Sequence, residues 1–167
     1  MTLITLGPAG TFSHDLACMM DTDIILVPTI GRVFTEVLQT GISGLVPLEN
    51  SEAGGVTATM DGLMQHPVYI SEERYLPIHH TLASHTTLDK ISVIFAHPQS
   101  HEQCSRFIDD LGIPVIHTES NAASALALKD RPGSGAILSQ TLADSRGIPV
   151  LAGNIENNPD NITRFIV

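Results

Sequence analysis

Residues 2–20 read TLITLGPAGTFSHDLACMM, and they set the plan for the rest of the chain. Residues 2–6 form a short apolar run that fits a buried strand. Gly7, Pro8, Ala9 and Gly10 interrupt it as a turn. From Phe12 to Met20 the apolar positions return at helical spacing. Strand, tight turn and helix in that order are the opening unit of an α/β sheet.

The alternation continues downstream. Strands are predicted at 24–27 and 44–48, with a helix at 30–39 capped by Thr29 and a short helix at 57–65. Residues 68–82 predict a long extended stretch containing Pro77. The pattern restarts with a strand at 91–96 and a helix from Pro98 to about residue 111, since proline suits a first helical turn. A strand at 114–117 and an Ala-rich helix at 121–129, capped by Ser120 or Asn121, come next. Strand 136–138, helix 140–145, strand 149–152 and strand 162–167 complete the chain. The predicted class is α/β: two lobes with parallel-type sheets flanked by helices, like a periplasmic binding protein. The first lobe takes residues 1–76 and 153–167, the second 77–152. In such folds ligands sit at the carboxyl ends of strands and in clefts, so the active site is expected in the inter-lobe cleft.

The 167 residues suit one domain or two small lobes, and 43% hydrophobic residues are ample for a core. A net charge of −10 with only 8 Lys and Arg argues against nucleic acid as a partner. An anionic small molecule stays allowed, because local donors outweigh a distant net charge under physiological screening. Cys18 and Cys104 make no disulfide framework. The N-terminus lacks a basic leader, with Arg32 the first cationic side chain, and no apolar run nears membrane-span length. A soluble, cytoplasmic protein without membrane attachment is expected.

Five stretches carry polar chemistry. GPAGTFSH (7–14) places glycines and a helix N-terminus after a strand, an arrangement that holds anions but also serves as an ordinary turn. VPLENS (46–51) crowds polar side chains at a strand's carboxyl end, where catalytic groups and simple caps both occur. PIHH (77–80) sets two histidines on extended chain, so at most one faces a given cleft; one solvated and one hydrogen-bonded histidine is the bland alternative. AHPQ (96–99), with His101, Gln103 and Cys104 following, feeds another helix N-terminus. The spacing of His97 and His101 alone is poor support for a metal, since Pro98 separates them and no carboxylate joins them. NITRF (161–165) puts Thr163 and Phe165 on one face of a strand and Arg164 on the other.

Together, GPAGTFSH, VPLENS with GGVTATMDGL (54–63), LPIHHTL (76–82), AHPQ with EQC (102–104), and NITRF resemble the prephenate dehydratase catalytic domain. The resemblance runs from Leu6 to Val167. It implies that Thr163 is catalytic and that Asn50, Ser51 and Gln103 share the catalytic role. It places substrate contacts at Gly10, Thr11, Phe12, His97, Gln99, Arg164 and Phe165. It implies prephenate as substrate, no cofactor, no metal, and a homodimer as in many relatives. Arg164 stays open between binding a carboxylate and forming a structural ion pair. Ala96 departs from the family, which usually has a serine there; Ser100 is the candidate to replace that hydroxyl. Many relatives continue into a phenylalanine-sensing ACT domain, whereas this sequence stops at Val167, so no such domain is expected. The competing readings are a non-aromatising prephenate decarboxylase, an arogenate dehydratase, and a non-catalytic module that binds an aromatic metabolite. Intact Thr163 favours the dehydratase.

Overall fold

The computed structural model describes residues 2–20 and 23–167. The chain forms two compact units. One comprises residues 1–78 and 160–167, the other residues 79–159.

The first unit is built from β1 (Thr2–Leu6), α1 (Phe12–Met19), β2 (Asp23–Val27), α2 (Ile30–Thr40), β3 (Ser43–Asn50), β4 (Gly54–Gly55), α3 (Thr57–Gln65), β5 (Glu73–Pro77) and, at the far end of the chain, β11 (Ile162–Ile166). Its sheet runs β2-β1-β3-β11-β5, with β4 paired to β3. Neighbouring residues on each central strand send their side chains to opposite faces. Leu3, Leu45 and Phe165 join one core with Leu16 of α1. Ile4, Val46 and Ile166 join the other with Val33 and Phe34 of α2. Apolar side chains on both faces require helices on both faces, and that is why these strands read as continuous hydrophobic runs. Gly62 of α3 lets the Phe34 ring approach closely: a Cβ there would lie 2.3 Å from a ring carbon.

The second unit holds β6 (Thr81–Ala83), a 3₁₀ turn at Leu88–Lys90, β7 (Val93–Ala96), α4 (Pro98–Gln103), α5 (Ser105–Leu111), β8 (Val115–His117), α6 (Asn121–Ala127), β9 (Ser134–Leu138), α7 (Gln140–Arg146) and β10 (Val150–Gly153). Its sheet order is β10-β6-β9-β7-β8. Phe95, Ala136 and Leu138 pack on one side with α6 and α7 residues. Ile94 and Ile137 pack on the other with Cys104 and Ile108.

Four expectations change. The sheets are mixed rather than parallel: β11 runs antiparallel to β3 and β5, and β6 antiparallel to β9 and β10. Returning and crossing strands reverse direction, and period-2 patterning carries no information on strand direction. The stretch at 68–82 resolves into β5 of one sheet and β6 of the other. The units divide after Ile78 and after Pro159, not at 76/77 and 152/153. The later return follows from bonding: β10 pairs with β6, and the Ile155 and Asn157 backbone N–H groups donate to the carbonyls of His80 and Gln103.

The helix expected from Pro98 to residue 111 is split at Cys104, whose φ of −116° and ψ of 15° leave the helical region. Asn157 replaces the missing helical bonds. Its backbone N–H donates to Gln103 O at 2.6 Å. Its side chain accepts from Arg106 N–H and donates to the Glu102 carbonyl and Ser105 Oγ.

Candidate active site

In the first unit the antiparallel pairing of β3 and β11 sets Asn50 directly opposite Thr163. Side chains paired this way are within reach of each other. The Asn50 amide nitrogen donates to Thr163 Oγ1 at 2.9 Å and to Asn161 Oδ1 at 2.7 Å. Its carbonyl oxygen accepts the N–H groups of Glu52 at 3.0 Å and Ala53 at 2.9 Å. Those two bonds fix the amide so that its NH₂ end meets Thr163. Thr163, 9% exposed, is thus an acceptor toward Asn50. A hydroxyl that accepts in this way keeps its own proton to donate, and accepting polarises that O–H.

Ser51 supports the same corner. Its Oγ accepts the Ile162 N–H at 3.0 Å, and its N–H donates to the Ile162 carbonyl. Asn161 is fully buried and receives the second Asn50 bond. Sequence reading quoted Asn161 in its motif but gave it no role, since nothing in the pattern shows that it holds Asn50.

Other first-unit expectations fare differently. Gly10 takes a φ of +92°, a conformation open to glycine. Its N–H donates to His14 Nδ1, and the Thr11 hydroxyl caps α1 by accepting from His14 N–H. The Thr11 hydroxyl donates in turn to the Leu6 carbonyl at 3.0 Å, so this hydroxyl and the Gly10 N–H are both engaged within the turn. Phe12 packs against the core cluster that contains Phe165, and Phe165 is 1% exposed. The expected substrate contact at Phe165 is corrected: its ring fills the core beneath Thr163's face of the strand. Arg164 points the other way and pairs with Glu49 at 3.1 Å and Glu73 at 3.4 Å, across three strands. Its guanidinium is a structural clasp in this arrangement.

The second unit holds the remaining expected residues. Gln103 is 8% exposed, and its Oε1 lies 2.9 Å from His80 Nε2. His80 is buried and its backbone N–H donates to Glu156 Oε2, while half-exposed His79 pairs with Glu156 Oε1 at 2.7 Å. The two histidines face differently, as extended chain demands. Burial pushes the Glu156 carboxyl upward, but the His80 N–H and the His79 ring outweigh it and hold it below its ordinary value. His97 caps α4 by accepting Gln99 N–H on Nδ1, which places its ring proton on Nε2. Burial, with nearby His117 adding to it, lowers its pKa and favours the neutral ring. Gln99 is exposed. Ala96 is fully buried, and the Ser100 hydroxyl donates to Asn121 Oδ1 at 2.9 Å, so its proton is already engaged. His101 Nδ1 lies 2.9 Å from His117 Nε2. Among the described residues no cluster of three or more His, Cys, Asp or Glu is arranged to hold a metal, and no helix is long and apolar enough to cross a membrane.

The family model described as prephenate dehydratase matches residues 3–167. A bifunctional chorismate mutase/prephenate dehydratase from Stutzerimonas stutzeri is 36% identical, over 97% of this chain and 47% of the relative. The chain thus spans about half the length of such relatives. A prephenate dehydratase from Arthrobacter aurescens, solved in complex with L-Phe, superposes with a TM-score of 0.88 at 31% identity, over 99% of this chain and 59% of that one. The substrate binding domain of an ABC transporter from Clostridium difficile, at 9% identity and a TM-score of 0.53 over 99% of this chain and 83% of that one, shares the fold alone. With its motifs in family order and Asn50 bonded to Thr163, the chain belongs to the prephenate dehydratase family.

Proposed function

We propose that this chain catalyses the decarboxylating dehydration of prephenate to phenylpyruvate, a carbon–oxygen lyase step in phenylalanine biosynthesis. The observation that carries the reading is the 2.9 Å bond from the Asn50 amide to Thr163 Oγ1, which leaves the threonine hydroxyl to act as a donor. In the reaction the bond from the ring to its carboxylate breaks and CO₂ leaves. The electron pair enters the ring, the ring C–O bond breaks, and the departing oxygen takes one proton to become water. The ring becomes aromatic, so the driving force is large and no redox cofactor is required.

Thr163 hydrogen-bonds the departing oxygen, where negative charge grows in the transition state. A threonine hydroxyl is too weak an acid to be the net proton source, so the proton consumed enters from the medium. Asn50 and Ser51 hold Thr163's strand in place, and Gln103 orients substrate. Arg164, neutralised by two glutamates, serves β11 rather than the substrate. The protein is proposed to act as a cytoplasmic homodimer, an extension of the family resemblance to its assembly and location.

Adding prephenate to the purified protein and identifying the product by mass and ultraviolet absorbance tests the reading. Phenylpyruvate is expected. A product that keeps the hydroxyl moves the assignment to a non-aromatising decarboxylase, and saturable binding without turnover moves it to a binding module.

A further inference from the structure

We propose that His80 is a positioning residue that fixes which end of the Gln103 amide a ligand meets. The inference rests on the reading of Gln103 as a substrate-orienting group and adds the residue that sets its polarity.

A glutamine side chain presents a donor at one end and an acceptor at the other, and rotation about its last bond exchanges them. Against a substrate that carries two carboxylates, the two orientations have opposite signs. The NH₂ end donates to a carboxylate, whereas the carbonyl end repels it. The site therefore needs a device that chooses. With Gln103 Oε1 at 2.9 Å as acceptor, His80 Nε2 carries the imidazole proton and occupies the carbonyl end. The NH₂ end of the buried Gln103 side chain is left as the end available to a ligand. His80 is itself 1% exposed, and water cannot replace its bond freely.

The chain holds this histidine from two sides. Glu156 Oε2 accepts the His80 backbone N–H at 2.9 Å, and the Ile155 N–H donates to the His80 carbonyl at 3.2 Å. The same segment reaches Gln103 through the Asn157 N–H, 2.6 Å from the Gln103 carbonyl. One short stretch, 155–157, thus ties down both partners of the His80–Gln103 bond. The break between α4 and α5 that Asn157 bridges falls directly after Gln103. The arrangement parallels that at Asn50, where two backbone donors fix an amide so that its NH₂ faces the reacting group.

Two measurements decide the proposal. Nitrogen-15 NMR of the wild-type protein reads the His80 tautomer directly and needs no activity. A proton on Nε2 from pH 6 to 8 is expected (roughly the range in which a neutral imidazole is observable); a proton on Nδ1 with bare Nε2 overturns the proposal. The second is a cycle of His80→Leu, Gln103→Ala and the double variant, with kcat/KM for prephenate measured on folded protein. His80→Leu is expected to lose about tenfold, and to lose nothing further once Gln103 is alanine. His80→Gln, which keeps an N–H donor, is expected to recover to within about threefold of wild type. Additive losses in the double variant, or a His80→Leu protein that loses stability but keeps kcat/KM, overturn it. Absence of prephenate turnover in the wild type would sink the activity reading instead, and the tautomer would still decide the role of His80.

Discussion

At the scale of single residues, the decisive feature is the direction of one hydrogen bond. Asn50 can donate to Thr163 because its carbonyl is held by the Glu52 and Ala53 N–H groups. Asn50→Asp keeps that carbonyl side and the residue's size but removes the donor. The new carboxylate draws the Thr163 proton inward and faces Asn161 Oδ1, acceptor to acceptor. We expect kcat on folded protein to fall by ~10²-fold, the usual cost of one preorganised catalytic donor. Native kcat in Asn50→Asp would refute the donor role. The motifs pointed to Thr163, Asn50, Ser51 and Gln103, and the structure bonds Asn50 to Thr163, Ser51 to the neighbouring Ile162 N–H, and Gln103 to His80. What was not legible was which side chains serve packing: Phe165 shares Thr163's alternation yet is 1% exposed, and alternation does not tell core from cleft.

At the scale of elements, most strands and helices followed from apolar periodicity and capping. Thr29 caps α2 as its position suggested, accepting from Arg32 N–H. The failures share a cause. The split of the helix after Gln103 depends on Asn157, more than fifty residues downstream by its bond to Arg106. No local signal in residues 98–111 reports a partner at that separation. The same distant segment makes a testable contribution to stability. Glu156 is held below its ordinary value of 4.5, so its carboxylate form is the one that the fold favours. A depressed carboxylate contributes stability that is fully present above the unfolded value and is lost as pH falls through the folded one. The stability difference between wild type and Glu156→Gln, from urea denaturation, is therefore expected to be present at about pH 5 and to shrink as pH falls below 4.5. A difference that is flat down to pH 3 (roughly the lower end of carboxylate titration) would show that Glu156 does not carry this coupling.

At the scale of the molecule, the chain folds as two α/β units, each with apolar side chains on both faces of its sheet. That much was legible, because strand–helix alternation and a restart near residue 91 are written in the sequence. The mixed direction of the sheets was not, since β11 joins β3 and β5 from the far end of the chain. That long-range pairing also brings Thr163 to Asn50 across 113 positions of sequence. With a net charge of −10, the proposed dianionic substrate would have to be held by local donors. The central claim is that the Thr163 hydroxyl acts on the leaving group in the transition state. Its most direct test compares kcat and KM for phenylpyruvate formation in wild type, Thr163→Ala and Thr163→Ser, each on folded, concentration-corrected protein. The account predicts a ~10²–10³-fold loss of kcat with little change in KM for the alanine variant, and substantial activity for the serine variant. A Thr163→Ala protein with near-native kcat would contradict it.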